Sequence, residues 1–413
     1  MTTSWLDLPA DHPFGIGNLP YGVFSPTGGE RRVGVRIGDR VLDAGAVAAI
    51  GREQEGVGDG PDLAAVWQTA SLNAFLALGH DAWRTARSWL TEILTGEAHR
   101  AAVEPHLHDL ATVTLHLPVE VADYVDFYAS EQHATNLGKV LRPNEAPLKP
   151  NWKHLPVGYH GRAGTVVVSG TDVVRPCGQR KAPSEETPTF GPSARLDIET
   201  ELGFVVGGAT EVGSRVSVDE APQHLFGVTL FNDWSARDIQ GWEYVPLGPF
   251  LGKSFASSVG AWVVPMAALE VARVPLPTQD PEPLPYLRGA GGPGRGIDLR
   301  LEVRINDTLV SRPPYDLVYW SPEQMVAHLT VNGASLRDGD LFASGTISGA
   351  EPDERGSLIE MTWNAKEPIR LADGSTRGFL EDGDTVTITG WAPGPDGARI
   401  GLGEVTGTIR PAR

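Results

Sequence analysis

The chain has 413 residues, which is more than one ordinary hydrophobic core holds, so we expect two or three domains. Hydrophobic residues make up 41% of it and charged residues 21%, a composition typical of a folded protein rather than a disordered one. The net charge of −18 predicts no nucleic-acid partner, and no apolar run reaches the roughly 20 residues of a membrane span, which predicts no membrane partner.

Residues 1–117 predict a small N-terminal domain in which a β-hairpin precedes helices. Residues 31–45 alternate apolar and polar side chains on either side of Gly38-Asp39, which is typical of a hairpin with a tight turn. Three helical stretches follow, and the clearest covers residues 81–94, with Gly96 just beyond its end. Its predicted buried face consists of Trp83, Ala86, Leu90, Ile93 and Leu94.

Residues 118–413 follow a mainly β pattern and predict a large C-terminal sandwich or roll. The clearest strand candidates are 166–168, 297–305, 385–389 and 400–409. We expect Asn306-Asp307 to turn the second of these into another strand. One helix is well marked, because Ser321 is a favourable N-cap, Pro322 is a favourable first residue and Gln324 completes a capping box.

Cysteine usage and the N-terminal residues predict a cytoplasmic protein. Cys177 is the only cysteine, which excludes an internal disulfide framework and a zinc site built from several cysteines. The first residues lack a basic segment and include Asp7 and Asp11, which predicts that no signal peptide is present.

Acidic residues recur where strands are predicted. Glu199 and Glu201 alternate, so a strand would place them on one face, although a solvated acidic face gives the same pattern. Asp197 begins the same segment and receives no role. Asp233 ends an apolar run or caps the next turn, and Asp126 stands in an extended segment or on the surface. Four carboxylates brought together would form an all-oxygen site suited to Mg²⁺, Ca²⁺ or Mn²⁺.

His133 is a candidate general base, because histidine is the side chain best suited to proton transfer near neutral pH. It stands in a polar segment where a helix can begin, and a purely structural role is the alternative. Glu360 lies inside the apolar run 358–361, which predicts a strand. An acid in such a strand needs a partner, for which a histidine would serve, or an outward-facing position.

Candidate hydrogen-bond donors follow the acids along the chain. Arg237 and Gln240 are three residues apart, so one helical turn would place them on one face, unless Arg237 pairs with a neighbouring acid. Lys253 ends a glycine-containing segment whose spacing differs from that of a phosphate-binding loop. Arg142 and Thr346 are candidates to hold substrate carboxylates, and Thr346 fits a turn equally well.

Long, specific motifs run through the whole chain. They lie at 18–24, 126–128, 132–136, 150–152, 154–162, 166–170, 232–239, 242–254 and 344–349. In these motifs the chain resembles the fumarylacetoacetase family. The resemblance implies a homodimer, an SH3-like barrel over residues 1–117 and a catalytic β-roll over residues 118–413. It also implies hydrolysis of 4-fumarylacetoacetate to fumarate and acetoacetate, the final step of tyrosine and phenylalanine catabolism.

The same resemblance implies a role for each matching residue. It implies that a divalent metal, Mg²⁺ or Ca²⁺, chelates the β-diketone of the substrate and is held by Asp126, Glu199, Glu201 and Asp233. It implies that His133, oriented by Glu360, activates water. The implied donors on the oxyanion side are Arg237, Gln240 and Lys253. The implied substrate contacts are Tyr128, Arg142, Tyr159, Gln240, Tyr244 and Thr346. A second, structural magnesium site near Asp233 would involve Lys253 and Ser257. At position 257 we expect threonine, and serine retains its hydroxyl group.

Two other functions compete with this one. Another member of the superfamily, such as an acylpyruvate hydrolase, a hydratase or a decarboxylase acting on β-dicarbonyl compounds, would use the same acidic cluster. A non-catalytic β-sandwich that binds Ca²⁺ would also account for the four acids. It would leave His133, Glu360 and the donors without a shared purpose, and so we favour an enzyme.

Overall fold

The structure is a computed structural model and describes residues 4–9, 11–53, 63–182, 184–290 and 295–413. None of the helices in these ranges is both long and apolar enough to cross a membrane. The strands are β1 Tyr21–Pro26, β2 Arg32–Ile37, β3 Arg40–Asp43, β4 Leu107–Asp109, β5 Val113–His116, β6 Tyr124–Phe127, β7 Gly158–His160, β8 Val166–Val168, β9 Val173–Val174, β10 Cys177–Arg180, β11 Thr189–Pro192, β12 Leu196–Asp197, β13 Thr200–Val206, β14 Leu225–Asp233, β15 Ser235–Ala236, β16 Ser257–Val259, β17 Trp262–Pro265, β18 Arg273–Pro275, β19 Arg295–Ile297, β20 Arg300–Ile305, β21 Thr308–Ser311, β22 Leu341–Ala343, β23 Ile369–Arg370, β24 Thr376–Arg377, β25 Thr385–Pro393 and β26 Arg399–Arg410.

Helices are few and mostly short. They are α1 Ala44–Glu53, α2 Ala64–Trp67, α3 Asn73–Leu76, α4 His80–Thr95, α5 Arg100–Val103, α6 Glu131–Leu141, α7 Arg237–Glu243, α8 Pro322–Thr330 and α9 Leu358–Met361. The mainly β fold class predicted from the sequence is therefore confirmed.

One large mixed sheet combines strands from the predicted N-terminal and C-terminal domains. Its central path has the order β4-β3-β2-β1-β17-β14-β13-β22-β6-β7. Strand β1 pairs with β17 through Tyr21 opposite Val263, so N-terminal and C-terminal strands share the sheet. A second sheet has the order β21-β20-β25-β26-β9. The domain boundary at 117/118 and the SH3-like barrel stay predictions.

The central strands β13 and β14 are buried on both faces. Leu202 and Leu230 pack in a core shared with Ile388 of the second sheet. Val205, on the opposite face, packs in a core shared with Trp83 of α4. Because successive strand side chains alternate between faces, a strand covered on both sides reads as a continuous apolar run. This double cover holds the two strands that end at the site described below.

Several predicted elements are present. Strands β2 and β3 form the predicted hairpin, and α4 covers the predicted helix and buries its predicted apolar face. Ser321 accepts a hydrogen bond from Gln324, and both halves of the predicted capping box are present in α8. The predicted strand 297–305 is instead two strands. The chain leaves β18 after Ile297 and joins β25 from Arg300, so one alternating pattern serves two sheets.

Candidate active site

Three strand ends bring acidic side chains to one edge of the large sheet. Strands β6 and β22 are parallel, whereas β13 is antiparallel to β22 and β14. The carboxyl ends of β6, β22 and β14 therefore meet the amino end of β13. Asp126 lies near the end of β6, Asp233 ends β14, and Glu199 and Glu201 stand at the start of β13. Residues distant in sequence become neighbours through this topology.

Three of these acids form a tight buried cluster. Asp126, Glu199 and Glu201 each offer a carboxylate oxygen, and these oxygens lie within 4.8 Å of one another. Within the described part of the chain, Asp126 Oδ1 and Glu201 Oε1 have no hydrogen-bond partner. Burial, together with repulsion from neighbouring carboxylates, raises the pKa of Asp126 and of Glu201 well above the ordinary range. Buried carboxylate oxygens without donors fit a hard divalent cation, which oxygen ligands satisfy.

Asp233 lies beside this cluster and is held by three donors. Its Oδ2 accepts hydrogen bonds from Lys253 Nζ at 2.6 Å and from the Tyr159 hydroxyl at 3.3 Å. Its Oδ1 accepts one from Ser257 at 2.7 Å. Lys253 also pairs with Glu199. Asp233, Lys253 and Ser257 are thus brought together as the family resemblance implies, while their roles as metal ligands stay predictions.

Glu199 links the acid cluster to the basic side chains. Its Oε1 pairs with Arg237 at 2.9 Å, and its other oxygen pairs with Lys253. Burial alone would raise the pKa of Glu199, but Lys253 and Arg237 outweigh it and lower the pKa to about 2. The predicted alternative of a solvated acidic face is therefore wrong here, because Glu199 is a buried, ionised carboxylate.

His133 and Glu360 form the predicted acid–base pair. His133 lies in the first turn of α6, whose N-cap Ser130 accepts a hydrogen bond from the His133 backbone amide. Its Nδ1 lies 2.6 Å from Glu360 Oε2, and both side chains are buried. An electrostatic interaction links His133 to Glu199, so this pair and the acid cluster are neighbours.

Glu360 is fully occupied as a hydrogen-bond acceptor. Oε2 also accepts hydrogen bonds from Ser357 at 2.7 Å and Ser348 at 3.0 Å, and Oε1 accepts one from Asn136 at 3.1 Å. Burial acts to raise the pKa of Glu360, but His133 and these donors lower it below its ordinary value. Because an ionised carboxylate only accepts, Nδ1 of His133 carries the shared proton, so Nε2 is the nitrogen that can act as a base.

The predicted strand at Glu360 is wrong. Leu358–Met361 is a single helical turn, α9, and all four of its residues are buried. The short run Leu-Ile-Glu-Met is compatible with either structure, and contacts from Asp197 to the amides of Leu358 and Ile359 favour the helix.

Arg237 and Gln240 lie on one face of α7, as predicted. Arg237 Nη1 donates to Gln240 Oε1 at 3.1 Å. Its Nε donates to Asp197 Oδ2 at 2.7 Å, so its ionic partners are Asp197 and Glu199 rather than the next acids along the chain. Burial acts to lower the pKa of Arg237, but Asp197 and Glu199 raise it above the ordinary value. Among the described residues, Nη2 has no acceptor.

The predicted substrate contacts differ in what they touch in the structure. The Tyr128 ring stands edge-on to His133, with ring centroids 5.3 Å apart. Thr346 Oγ1 and Arg142 Nε are buried and have no hydrogen-bond partner in the described ranges, although Arg142 Nε lies 4.0 Å from Glu145 Oε2. Tyr159 contacts Asp233, as described above. Tyr244 is half-buried at the end of α7.

A pocket of about 290 Å³ opens on the Asp233 side of the site. Tyr159, Asp233, Lys253 and Ser257 line it together with Phe250 and the loop around His160. Its volume is close to the lower limit of roughly 300 Å³ for small-molecule sites. The pocket therefore reaches the Lys253 side of the cluster.

Sequence reasoning assigned no role to four residues that hold the site. Asn136, Ser348 and Ser357 donate to Glu360, and Asp197 binds Arg237 and the start of α9. Asp197 carried a visible signal, because it begins the segment that contains both cluster glutamates. Asn136 and Ser348 stand in the motifs 132–136 and 344–349 that carry the resemblance, whereas Ser357 carried no signal.

Solved structures with low sequence identity share this fold. A fumarylacetoacetate hydrolase from psychrophilic Exiguobacterium antarcticum is similar with a TM-score of 0.56 and 16% identity, over 96% of this chain and 100% of that one. A 5-carboxymethyl-2-hydroxymuconate delta-isomerase from Mycobacterium smegmatis gives a TM-score of 0.50 and 16% identity, over 95% of this chain and 100% of that one.

Sequence comparisons cover the chain from end to end. The chain is 46% identical to a fumarylacetoacetase from Homo sapiens, 45% to one from Caenorhabditis elegans and 44% to one from Arabidopsis thaliana. Each alignment covers 99% of this chain and 98–99% of the relative. The family model for the fumarylacetoacetase N-terminal domain matches residues 17–118, and that for the fumarylacetoacetate hydrolase C-terminal domain matches residues 123–410. By full-length identity and by both domain models, the chain belongs to the fumarylacetoacetase family.

Proposed function

We propose that this chain hydrolyses a carbon–carbon bond of 4-fumarylacetoacetate to give fumarate and acetoacetate. One observation carries the proposal: the buried His133–Glu360 pair lies beside the carboxylate cluster in a chain of this family. Relatives that are 42–46% identical over their whole length bear the name fumarylacetoacetase. The reaction is the final step of tyrosine and phenylalanine breakdown.

His133 activates the attacking water. Its Nε2 accepts a proton from water, while Nδ1 keeps its own proton and donates it in a hydrogen bond to Glu360 Oε2, 2.6 Å away. The carboxylate stabilises the imidazolium that forms. The hydroxide oxygen bonds to the carbonyl carbon of the fumaryl group, which becomes a carboxylate carbon of fumarate. The bond from that carbon to the acetoacetate carbon then breaks, the electron pair leaves with acetoacetate, and a proton completes that product.

Asp126, Glu199 and Glu201, with Asp233, are the residues that would hold a divalent cation, Mg²⁺ or Ca²⁺. Such a cation supplies a Lewis acid that stabilises negative charge on the oxygens of the β-diketone. The buried, unpartnered oxygens of Asp126 and Glu201 in the described structure support this assignment.

Donors from α7 and Lys253 stabilise charge at the attacked carbonyl. Arg237 is fixed by two carboxylates, and within the described chain it retains Nη2 as a free donor. Gln240 lies one helical turn after Arg237 and accepts a hydrogen bond from it, and Lys253 shares the ionic partner Glu199 with Arg237. One donor of this kind contributes about 3 kcal/mol to stabilisation of the transition state.

The remaining predicted contacts orient the substrate. Arg142 Nε and Thr346 Oγ1, which have no hydrogen-bond partner among the described residues, are suited to bind carboxylates, of which fumarylacetoacetate has two. Tyr128 covers one face of His133, and Tyr159 and Tyr244 complete the set that the resemblance implies. We further propose a homodimer that acts in the cytoplasm, as the resemblance and the single exposed cysteine support.

Product analysis tests the proposed reaction. The purified protein, loaded with Mg²⁺ or Ca²⁺, is mixed in parallel with fumarylacetoacetate and with a simpler acylpyruvate. We expect fumarate and acetoacetate in equal amounts and little turnover of the acylpyruvate. Preferred turnover of the acylpyruvate would favour another superfamily reaction, and metal binding without turnover of either compound would favour a calcium-binding module.

A further inference from the structure

We propose that Asp197 is a positioning residue that fixes the His133–Glu360 pair and the Arg237 guanidinium relative to each other. The inference rests on the function proposed above, because it concerns that same site. Asp197 is not among the predicted substrate contacts or metal ligands. It acts through the two groups that it holds.

Four donors converge on the Asp197 carboxylate. Oδ1 accepts hydrogen bonds from the amides of Leu358 at 2.7 Å and Ile198 at 2.8 Å. Oδ2 accepts them from Arg237 Nε at 2.7 Å and from the Ile359 amide at 3.1 Å. The side chain is fully buried. Both oxygens are thus used twice, and none of these contacts depends on solvent.

Asp197 replaces the usual cap of α9. The first amides of a helix have no partner within the helix, and the N-cap side chain ordinarily accepts from them. The N-cap residue here is Ser357, whose described contacts include no such bond, because its hydroxyl donates to Glu360 instead. Asp197 accepts from Leu358 and Ile359 in its place. The turn that carries Glu360 is therefore tied to Asp197.

The same carboxylate orients Arg237. Guanidinium donors lie in one plane, so fixing Nε on Asp197 and Nη1 on Glu199 fixes the direction of the remaining nitrogen. Nη2 is the nitrogen left without an acceptor among the described residues. One buried side chain thus sets the distance between the group that activates water and a group that stabilises the resulting charge.

Asparagine at position 197 retains the size of the side chain but not its four acceptor sites. In either orientation, the NH₂ group of asparagine would replace one carboxylate oxygen and face the two donors that this oxygen accepted from. Because two donors repel, either Arg237 or the start of α9 must move. Misplacement by about 1 Å of groups that orient a reaction costs roughly 100-fold in rate. We expect Asp197→Asn to lower kcat between about 10- and 100-fold, with KM and metal affinity within about twofold of wild type.

A double-mutant cycle separates positioning from general support of the fold. The wild type, Asp197→Asn, Glu360→Gln and the double variant are assayed for kcat with fumarylacetoacetate. If Asp197 acts through Glu360, then Asp197→Asn costs much less in the Glu360→Gln background than in the wild type. Losses that simply multiply would overturn the proposal, and so would a native kcat for Asp197→Asn.

Hydrogen–deuterium exchange provides a readout that does not require turnover. We expect the amides of Leu358 and Ile359 to exchange faster in Asp197→Asn than in the wild type, by a larger factor than amides remote from the site. Asp238→Asn is the matched control, because Asp238 also lies on α7 but binds Ser193 and the amides of Ala194 and Ile239 and pairs with Arg180, all outside the predicted catalytic set. If the wild type does not hydrolyse fumarylacetoacetate, the proposed function fails, whereas unchanged exchange in Asp197→Asn rejects the positioning role.

Discussion

Replacing His133 by asparagine is expected to lower kcat by about 10²- to 10⁴-fold, the usual contribution of a general base. The physical reason is that Glu360 binds Nδ1 of His133 and thereby orients Nε2, the nitrogen proposed to take the proton from water. Asparagine can still donate to Glu360, so the buried carboxylate keeps a partner and the fold is preserved. Metal affinity should stay unchanged, because the acid cluster loses no ligand.

The measurement combines steady-state kinetics with a metal titration of the same preparation. His224→Asn is the control, since His224 is a half-buried histidine that contacts the Gly208 carbonyl and lies outside the site. It should retain native kcat. A His133→Asn enzyme with near-native kcat would show that another group removes the proton from water.

Replacing Glu201 by glutamine is expected to abolish stabilisation by metal without harming the metal-free protein. Glu201 Oε2 accepts from the Gly345 amide at 3.1 Å, while its other oxygen has no partner in the described chain and faces neighbouring carboxylates. Glutamine retains an acceptor for Gly345 and brings an NH₂ group that can donate to Asp126 or Glu199. It therefore removes repulsion in the absence of metal but also removes a ligand.

Thermal unfolding with and without Mg²⁺ or Ca²⁺ measures this effect. For the wild type, metal at 100 times its dissociation constant should add about 2.7 kcal/mol to the free energy of unfolding. For Glu201→Gln we expect that gain to vanish and the metal-free Tm to equal or exceed that of the wild type. Glu404→Gln, a surface control, should behave as wild type. A Glu201→Gln protein that gains normal stability from metal would remove Glu201 from the ligand set.

Local patterns predicted the elements that build the scaffold. The hairpin around Gly38, helix α4 and the capping box at Ser321 each depend on residues a few positions apart, and each is present. These features need no knowledge of the rest of the chain, because turn geometry and helix ends are set by neighbouring residues.

Errors arose where distant contacts decide the local structure. The turn that carries Glu360 is helical partly because Asp197, far away in sequence, accepts from its first amides. The interruption at Ile297 arises because one alternating segment pairs with two different sheets. Neither partner is visible from the segment itself, and so propensity alone could not decide.

The candidate site was predictable mainly as a set of residue types. Acids, a histidine and donors could be named from the sequence and from the family resemblance, and the structure brings His133 and Glu360 into contact. Their mutual arrangement was not predictable. That Lys253 bridges Asp233 and Glu199, while Asp126 and Glu201 stay without donors in the described chain, follows only from how the strand ends meet.

The most direct test of the account is the loss of fumarylacetoacetate absorbance on mixing with the protein. The assay is run on the protein as purified, after removal of metal by a chelator, and after Mg²⁺ or Ca²⁺ is restored. We predict rapid loss that stops without metal and returns with it. Undiminished turnover by a protein shown by elemental analysis to be metal-free would contradict the role of the acid cluster, and no turnover by the fully metal-loaded protein would contradict the proposed reaction.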